Sequence, residues 1–215
     1  MTGRRLLFAG LAGLAALPVA PAMALPVPAS RRLAFRVVRN GSNIGQHVLT
    51  FAGEESRLTV QVAVDLAVGI GPITLYRYRH RATERWEDGR VVSFQAETND
   101  DGTVSTIAMR LDGDALAVES SQAGRYRAPP GALPATHWNR RMLDGPFINT
   151  QTGEVLRPAV ARPGTGPVPW SPQRQADRYV LTGPIDLETW YDTTPLWVGL
   201  RFRGRDGSSI HYEQA

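Results

Sequence analysis

Apolar and polar residues alternate with a period of two along most of this chain, and that alternation limits its fold more than any other feature. In an extended strand successive side chains point to opposite faces, so a half-buried strand reads as such an alternation. Leu58, Val60, Val62, Val64, Leu66 and Val68 fall on one face, with Thr59, Gln61 and Asp65 on the other. Leu33-Phe35-Val37, Ile107-Met109-Leu111 and Leu196-Val198-Leu200-Phe202 repeat the pattern. Asn40-Gly41, Asp88-Gly89, Asp101-Gly102, Asp112-Gly113 and Asp206-Gly207 punctuate these runs with residue pairs that accept positive φ, as tight hairpins require. The expectation is an all-β chain, an antiparallel meander curling into a sandwich or partial barrel, without βαβ units.

Two stretches interrupt the rhythm. Pro129-Pro130 to Pro134 reads as a loop, followed over Ala135 to Leu143 by the one candidate for a short helix. Arg157 to Pro172 is rich in proline and glycine and reads as a long connection that cannot be a central strand.

Apolar residues make up 42% of the 215 and charged ones 20%, enough for a core and unlike a disordered chain. Met1 to Ala24 has the three regions of an export signal: basic Arg4-Arg5, an apolar run from Leu6 to Leu17, and an Ala22-Met23-Ala24 end. The run falls short of the roughly 20 residues that span a bilayer. The expectation is cleavage after Ala24 with no transmembrane anchor left, a linker over 25–31, one antiparallel β domain over 32–215, and a periplasmic location. Arg4-Arg5 followed by Leu6-Leu7-Phe8 fits either twin-arginine or general secretory export.

All 24 basic residues are arginine, against 20 acidic ones. Removing Arg4 and Arg5 takes the formal charge from +4 to +2, which argues against a nucleic-acid partner. The chain has no cysteine, so disulfides, thiolate metal sites and lipid attachment at cysteine are excluded. His47, His80, His137 and His211 lack metal-ligand spacing, and nucleophile-elbow, phosphate-loop and zinc-helix motifs are missing. These observations favour a protein that is not an enzyme and needs no cofactor or metal.

The strand from Leu75 to Trp86 stands out. Tyr76, Tyr78, His80, Ala82, Glu84 and Trp86 share one face, and Arg77, Arg79, Arg81 and Arg85 the other. The aromatic face reads either as a ligand-facing wall or as an amphipathic strand whose tyrosines are satisfied by neighbours. The arginine face reads as a solvated surface or as a docking face for an anionic partner. His80 and Glu84 lie about 13 Å apart on a strand and cannot pair directly. His137-Trp138-Asn139-Arg140-Arg141 and Asn149 to Gly153 form a second polar concentration on irregular chain, where sites are often built but where caps and staples occur too.

Asn40-Gly41 with Ile44-Gly45, Tyr76-x-Tyr78-x-His80 through Glu84-Arg85-Trp86 to Asp88-Gly89, His137-Trp138-Asn139, Leu181-Thr182-Gly183, Trp190-Tyr191-Asp192, and Phe202 to Tyr212 are landmarks. With these the chain resembles, over residues 33 to 213, a proteobacterial family of exported proteins of unknown function. The resemblance implies a strongly curved sheet, similar in outline to the half-barrel of periplasmic lipoprotein carriers, and brings no catalytic residue. Three readings follow. The first is a non-catalytic periplasmic protein holding an apolar or amphiphilic molecule such as a lipid, with Tyr76, Tyr78, Trp86 and Trp190 lining a hollow and His80, Glu84, His137, Trp138, Asn139 and Asp192 as further candidate contacts. The second is an envelope-protein partner that uses the arginine face, and the third an enzyme using His137, Asn139 and Asp192.

Overall fold

The computed structural model describes residues 24–70 and 73–215, so the leader read over residues 1–24 lies outside the described residues except for its last position. Eight strands follow one another as hairpins: β1 (Arg32–Arg39), β2 (Ser42–Glu54), β3 (Arg57–Ile70), β4 (Ile73–Glu87), β5 (Arg90–Asp100), β6 (Thr103–Asp112), β7 (Ala115–Ser120) and β8 (Gly124–Arg127). The chain then leaves this sheet for three two-residue strands, β9 (Leu133–Pro134), β10 (Phe147–Ile148) and β11 (Val155–Leu156), with a 3₁₀ helix at Arg140–Asp144 between β9 and β10. It returns for β12 (Ala159–Val168), β13 (Ser171–Thr182), β14 (Leu187–Tyr191), β15 (Trp197–Arg203) and β16 (Ser209–Gln214).

The two meanders join where the chain's last strand meets its first. β16 pairs antiparallel with β1, Val37 opposite Tyr212, giving one antiparallel sheet of 13 strands in the order β12 to β16, then β1 to β8. Its edge strands β8 and β12 do not pair with each other, so the barrel-like sheet stays open. The fold is all-β and strongly curved, as the alternation and the resemblance imply.

Along β3, Leu58, Val60, Val62 and Val64 are buried, while Leu66 and Val68 are only half-buried. Asn40-Gly41, Asp88-Gly89 and Asp101-Gly102 each carry two consecutive positive φ angles, the geometry whose twist matches the flanking strands. Asp112 instead ends β6, and the turn falls on Gly113 and Asp114.

Three expectations change in detail. The proline-rich stretch is no plain connection, because most of it forms β12 at the sheet edge, with register shifts between Ala161 and Gly164 and between Pro167 and Val168. Pro163 and Pro167 are tolerated there because an edge strand has one side free of ladder bonds. The helix read over Ala135 to Leu143 is confined to the 3₁₀ turn, capped by the Asn139 side chain, which accepts from the Arg141 N–H. In the segment read as a linker, Leu25 is buried in the core.

Candidate functional site

The alternation of β4 divides its residues as the sequence suggests. His80, Glu84 and Trp86 are buried on the inner face, Tyr76 and Tyr78 are half-buried there, and Arg77, Arg79, Arg81 and Arg85 are exposed on the outer face.

Deep in the barrel the inner face is occupied by the chain's own excursion between β8 and β12. Trp138, Met142, Leu143, Phe147 and Ile148 from this segment are buried within the main core. The Trp138 ring packs edge-on against Phe51 and Trp86, centroids 5.3 Å away in each case. Glu84 Oε2 accepts from both indoles, Trp86 Nε1 at 2.7 Å and Trp138 Nε1 at 3.1 Å. One carboxyl therefore ties the excursion to the wall. Further bonds fix its far end: Ser105 Oγ donates to the Gln151 carbonyl at 3.0 Å, Ser120 Oγ to that of Thr152 at 2.7 Å, and the Tyr126 hydroxyl to that of Gly153. The excursion is a plug, and Glu84, Trp86 and Trp138 are the staple that holds it.

Burial raises the Glu84 pKa, and polar contacts with Thr136, Trp86 and Trp138 oppose that rise. Its Oε1 is buried without a hydrogen-bond partner. The carboxyl sits buried between two indoles, which shifts its balance toward the neutral form.

Beyond the plug, toward the β3–β4 turn, the inner face changes character. Cross-strand register places Phe35, His47, Val64, His80 and Thr98 in one row. Tyr212, Val37, Gly45, Leu66, Tyr78 and Asp100 form the next. His80 Nδ1 lies 2.8 Å from Thr98 Oγ1. The Trp197 ring is flanked by two imidazoles, His137 stacked at 5.4 Å and His47 edge-on at 5.3 Å. Both ring nitrogens of His47, and Nδ1 of His137, are buried without partners.

Burial lowers the His47 pKa to about 3, with His137 and His80 adding to the effect. It lowers His80 to about 4, assisted by Arg81, and His137 to about 4. Burial raises Tyr212 to about 12 and pushes Tyr76 and Tyr78 well above the usual phenol range, Asp100 contributing at both. Imidazoles and phenols alike stay neutral near pH 7, which gives an aromatic lining with uncharged hydrogen-bonding tips and the Asp100 carboxylate beside it.

Not every candidate joins this lining. Trp190 packs in a second, separate cluster with Val168, Ala176, Val198 and Trp170, under the Arg201 guanidinium. It does not line the hollow, because its neighbour Tyr191 takes the inward position and donates to the His137 carbonyl at 2.8 Å. Asp192 stabilises a turn, accepting from the Thr194 and Leu196 N–H groups and pairing with Arg174. Asn139 caps the 3₁₀ helix. His137, Asn139 and Asp192 share no hydrogen bond with one another, so their arrangement offers no acid-base relay. No group of side chains among the described residues could hold a metal.

On the outer face Asp65 serves two of the four arginines, Arg81 through both carboxylate oxygens at 2.7 and 2.9 Å and Arg79 at 3.5 Å. An open groove of about 880 Å3 runs over the same face, bordered by Gln61, Arg81, Thr83, Gln95, Glu97 and Glu119 among others. Sequence reading missed His47, Thr98, Trp197 and Tyr212. His47 shares its strand face with Leu49 and Phe51, and that parity was its one available signal.

Residues 35–215 match the family described as "Domain of unknown function (DUF6134)", and the chain belongs to that family. Among solved structures it is similar to a "Beta-barrel-like Protein of Domain of Unknown Function DUF1849 from Brucella abortus". The TM-score is 0.59 at 12% identity, over 86% of this chain and 94% of that one. At that identity the likeness concerns the fold. Nothing matches among curated proteins.

Proposed function

We propose that this chain is an exported, non-catalytic periplasmic protein that takes an apolar or amphiphilic molecule against the unplugged end of its barrel. One observation carries the reading. Where the plug ends, Leu66, Val68, Tyr76 and Tyr78 stay half-exposed on the inner face, although every row deeper in is filled. A surface of aliphatic and neutral aromatic side chains with hydroxyl tips suits a ligand that is greasy along its length and polar at one point. Catalysis has little support there, because burial makes the imidazoles weak bases and the His80 side chain is hydrogen-bonded to the buried Thr98 hydroxyl. The ligand would sit at the rim, since Trp86 and Trp138 close the interior below.

Native mass spectrometry of protein isolated from its own periplasm tests the reading. A co-purifying species of lipid size, lost in a Tyr76→Asp, Tyr78→Asp variant that stays folded, is the expected result. Ligand-free protein that also fails to enhance a hydrophobic dye would refute it. A second reading, an envelope-protein partner on the outer face, draws on the groove beside Arg81, whose mixed charges suit a polar protein surface. Cross-linking recovery that persists after Arg77, Arg79 and Arg81 are changed to Glu would reject that alternative.

A further inference from the structure

β3 and β4 outrun their neighbours. β2 pairs with β3 only as far as Leu66, and β5 pairs with β4 only from Tyr78. Beyond those points, apart from the bonds between the Arg77 backbone and Asp101, the two strands pair only with each other, through Ala67–Arg77, Val68–Tyr76 and Gly69–Thr74. A two-stranded ribbon is marginal by itself and needs something to cover its apolar side chains. Here they are bare: Ile73 is 63% exposed and Leu75 58%. Val104, the other large apolar side chain this exposed among the described residues, is 55% exposed and lies on the outer face at the same end, in register with Asn99 beside Arg79. The sequence from Leu66 to Tyr76 contains no charge and is bounded by Asp65 and Arg77.

We propose that this overhang is a wedge that docks the protein on an anionic lipid bilayer, with Ile73 and Leu75 entering the headgroup boundary and Arg77 meeting lipid phosphate. The proposal rests on the exposed end of the ribbon beyond the Val68–Tyr76 pair, where the register shifts, and not on the half-buried lining below it.

Three features favour a bilayer over a protein partner. Two aliphatic side chains cover a few hundred Å2 at most, below the roughly 1,000 Å2 of a stable protein interface, but they suffice for a shallow lipid anchor assisted by charge. The base of the ribbon carries the fitting charge. Among the described residues Arg77 makes no ion pair, Arg79 and Arg81 share the single Asp65 carboxylate, and Arg205 acts on the Tyr76 phenol from the β15–β16 turn. The acids there, Asp100 and Asp101, are engaged with the Tyr76 side chain and the Arg77 backbone N–H. Tyr76 and Tyr78 stand one and two rows behind the tip, at the depth where tyrosine favours a membrane interface. The unpaired ribbon edges keep the wedge in the hydrated headgroup layer, because bare backbone groups cannot enter hydrocarbon.

The test is co-sedimentation of the purified protein with vesicles of phosphatidylcholine alone or with added phosphatidylglycerol. The wild type should sediment with the anionic vesicles, and less so as salt screens Arg77. Ile73→Asn with Leu75→Asn should lower the bound fraction at least tenfold at unchanged melting temperature, and Arg77→Gln should weaken binding to anionic vesicles only. A second measurement does not depend on that variant's folding: the chain has no cysteine, so Leu75→Cys carries a polarity-sensitive dye at one known place. Its emission should shift to the blue on anionic vesicles, while the same dye at Gln122→Cys stays unchanged. Wild-type protein left in the supernatant, or equal shifts at both positions, would overturn the proposal. Self-association abolished by the double variant, with no vesicle binding, would overturn it in favour of a second copy.

Discussion

Replacing Glu84 separates hydrogen bonding from packing in the plug. The side chain is 0% exposed, and its Oε2 is the acceptor for the Trp86 and Trp138 indole N–H groups. Glu84→Leu keeps the volume roughly constant but leaves two buried donors unpaired. Each such donor costs about 1–3 kcal/mol, so the variant should lose about 2–6 kcal/mol. Glu84→Gln retains a carbonyl oxygen for both indoles in a side chain of nearly the same shape, so it should stay within about 1 kcal/mol of wild type at pH 7. Urea unfolding followed by tryptophan fluorescence reads the stability. Limited proteolysis under native conditions reads the plug itself, and cleavage between residues 129 and 156 should accelerate in Glu84→Leu alone. Equal stability of the two variants would refute the staple and leave the plug held by packing.

Acid should destabilise the protein well above the range where surface carboxylates titrate. His47, His80 and His137 have folded pKa values of about 3, 4 and 4 against the usual 6.5, so their contribution is intact above pH 6.5 and is lost as pH falls through the window down to about 4. Glu84, with its pKa raised, works in the opposite sense, so the three imidazoles set the ceiling, an uptake on unfolding of three protons and a slope of about 4 kcal/mol per pH unit at most. Urea midpoints that stay flat between pH 7 and pH 5 would contradict this, and His47→Leu should shrink the slope by at least a third, since it removes one of the three imidazoles. Gly153→Ala should cost about 1–3 kcal/mol: its φ is +80°, and an added Cβ would lie 2.6 Å from Ser120 Cβ. Thermal unfolding that matches wild type would show that the plug's far end is not pinned against β7.

The sequence carried local information well. The strands β3, β4 and β6 and three Asx-Gly hairpins could be read from it, because side-chain parity and positive φ are properties of a few neighbouring residues. Long-range pairing was not legible. Nothing in Arg36 or Glu213 announces that β1 and β16 lie side by side, although the two residues face each other and form an ion pair at 2.6 Å. β12 was hidden for a different reason, since its prolines are permitted only by an edge position that the chain order does not declare. The inward side of Tyr76, Tyr78, His80, Glu84 and Trp86 was legible through parity. Trp190 was placed on the wrong side because Trp190 and Tyr191 are both buried, one on each face of the sheet, and two adjacent aromatics leave the parity undecided.

The plug explains why a chain this rich in arginine and free of cysteine can keep an open 13-stranded sheet. A curved sheet whose edges stay apart must still cover its inner face, and long apolar strands would otherwise offer that face to solvent or to another chain. Here the cover is local in sequence to the gap it fills: the chain leaves at edge strand β8, crosses the interior with Trp138, Phe147 and Ile148, and re-enters at edge strand β12. The same arrangement decides where function is free to reside. A segment fixed by Glu84, Ser105, Ser120 and Tyr126 removes the deep barrel from consideration as a binding cavity. The unfilled rows at the β3–β4 overhang remain, where Tyr76 and Tyr78 are half-buried on the inner face, Arg77 is exposed on the outer one, and Ile73 and Leu75 are exposed beyond the register shift at Val68. The proposed binding and docking residues thus fall at the base and the end of one ribbon, so Tyr76→Asp and Ile73→Asn should abolish different measurements, and a single variant that removed both would place the two activities on one surface.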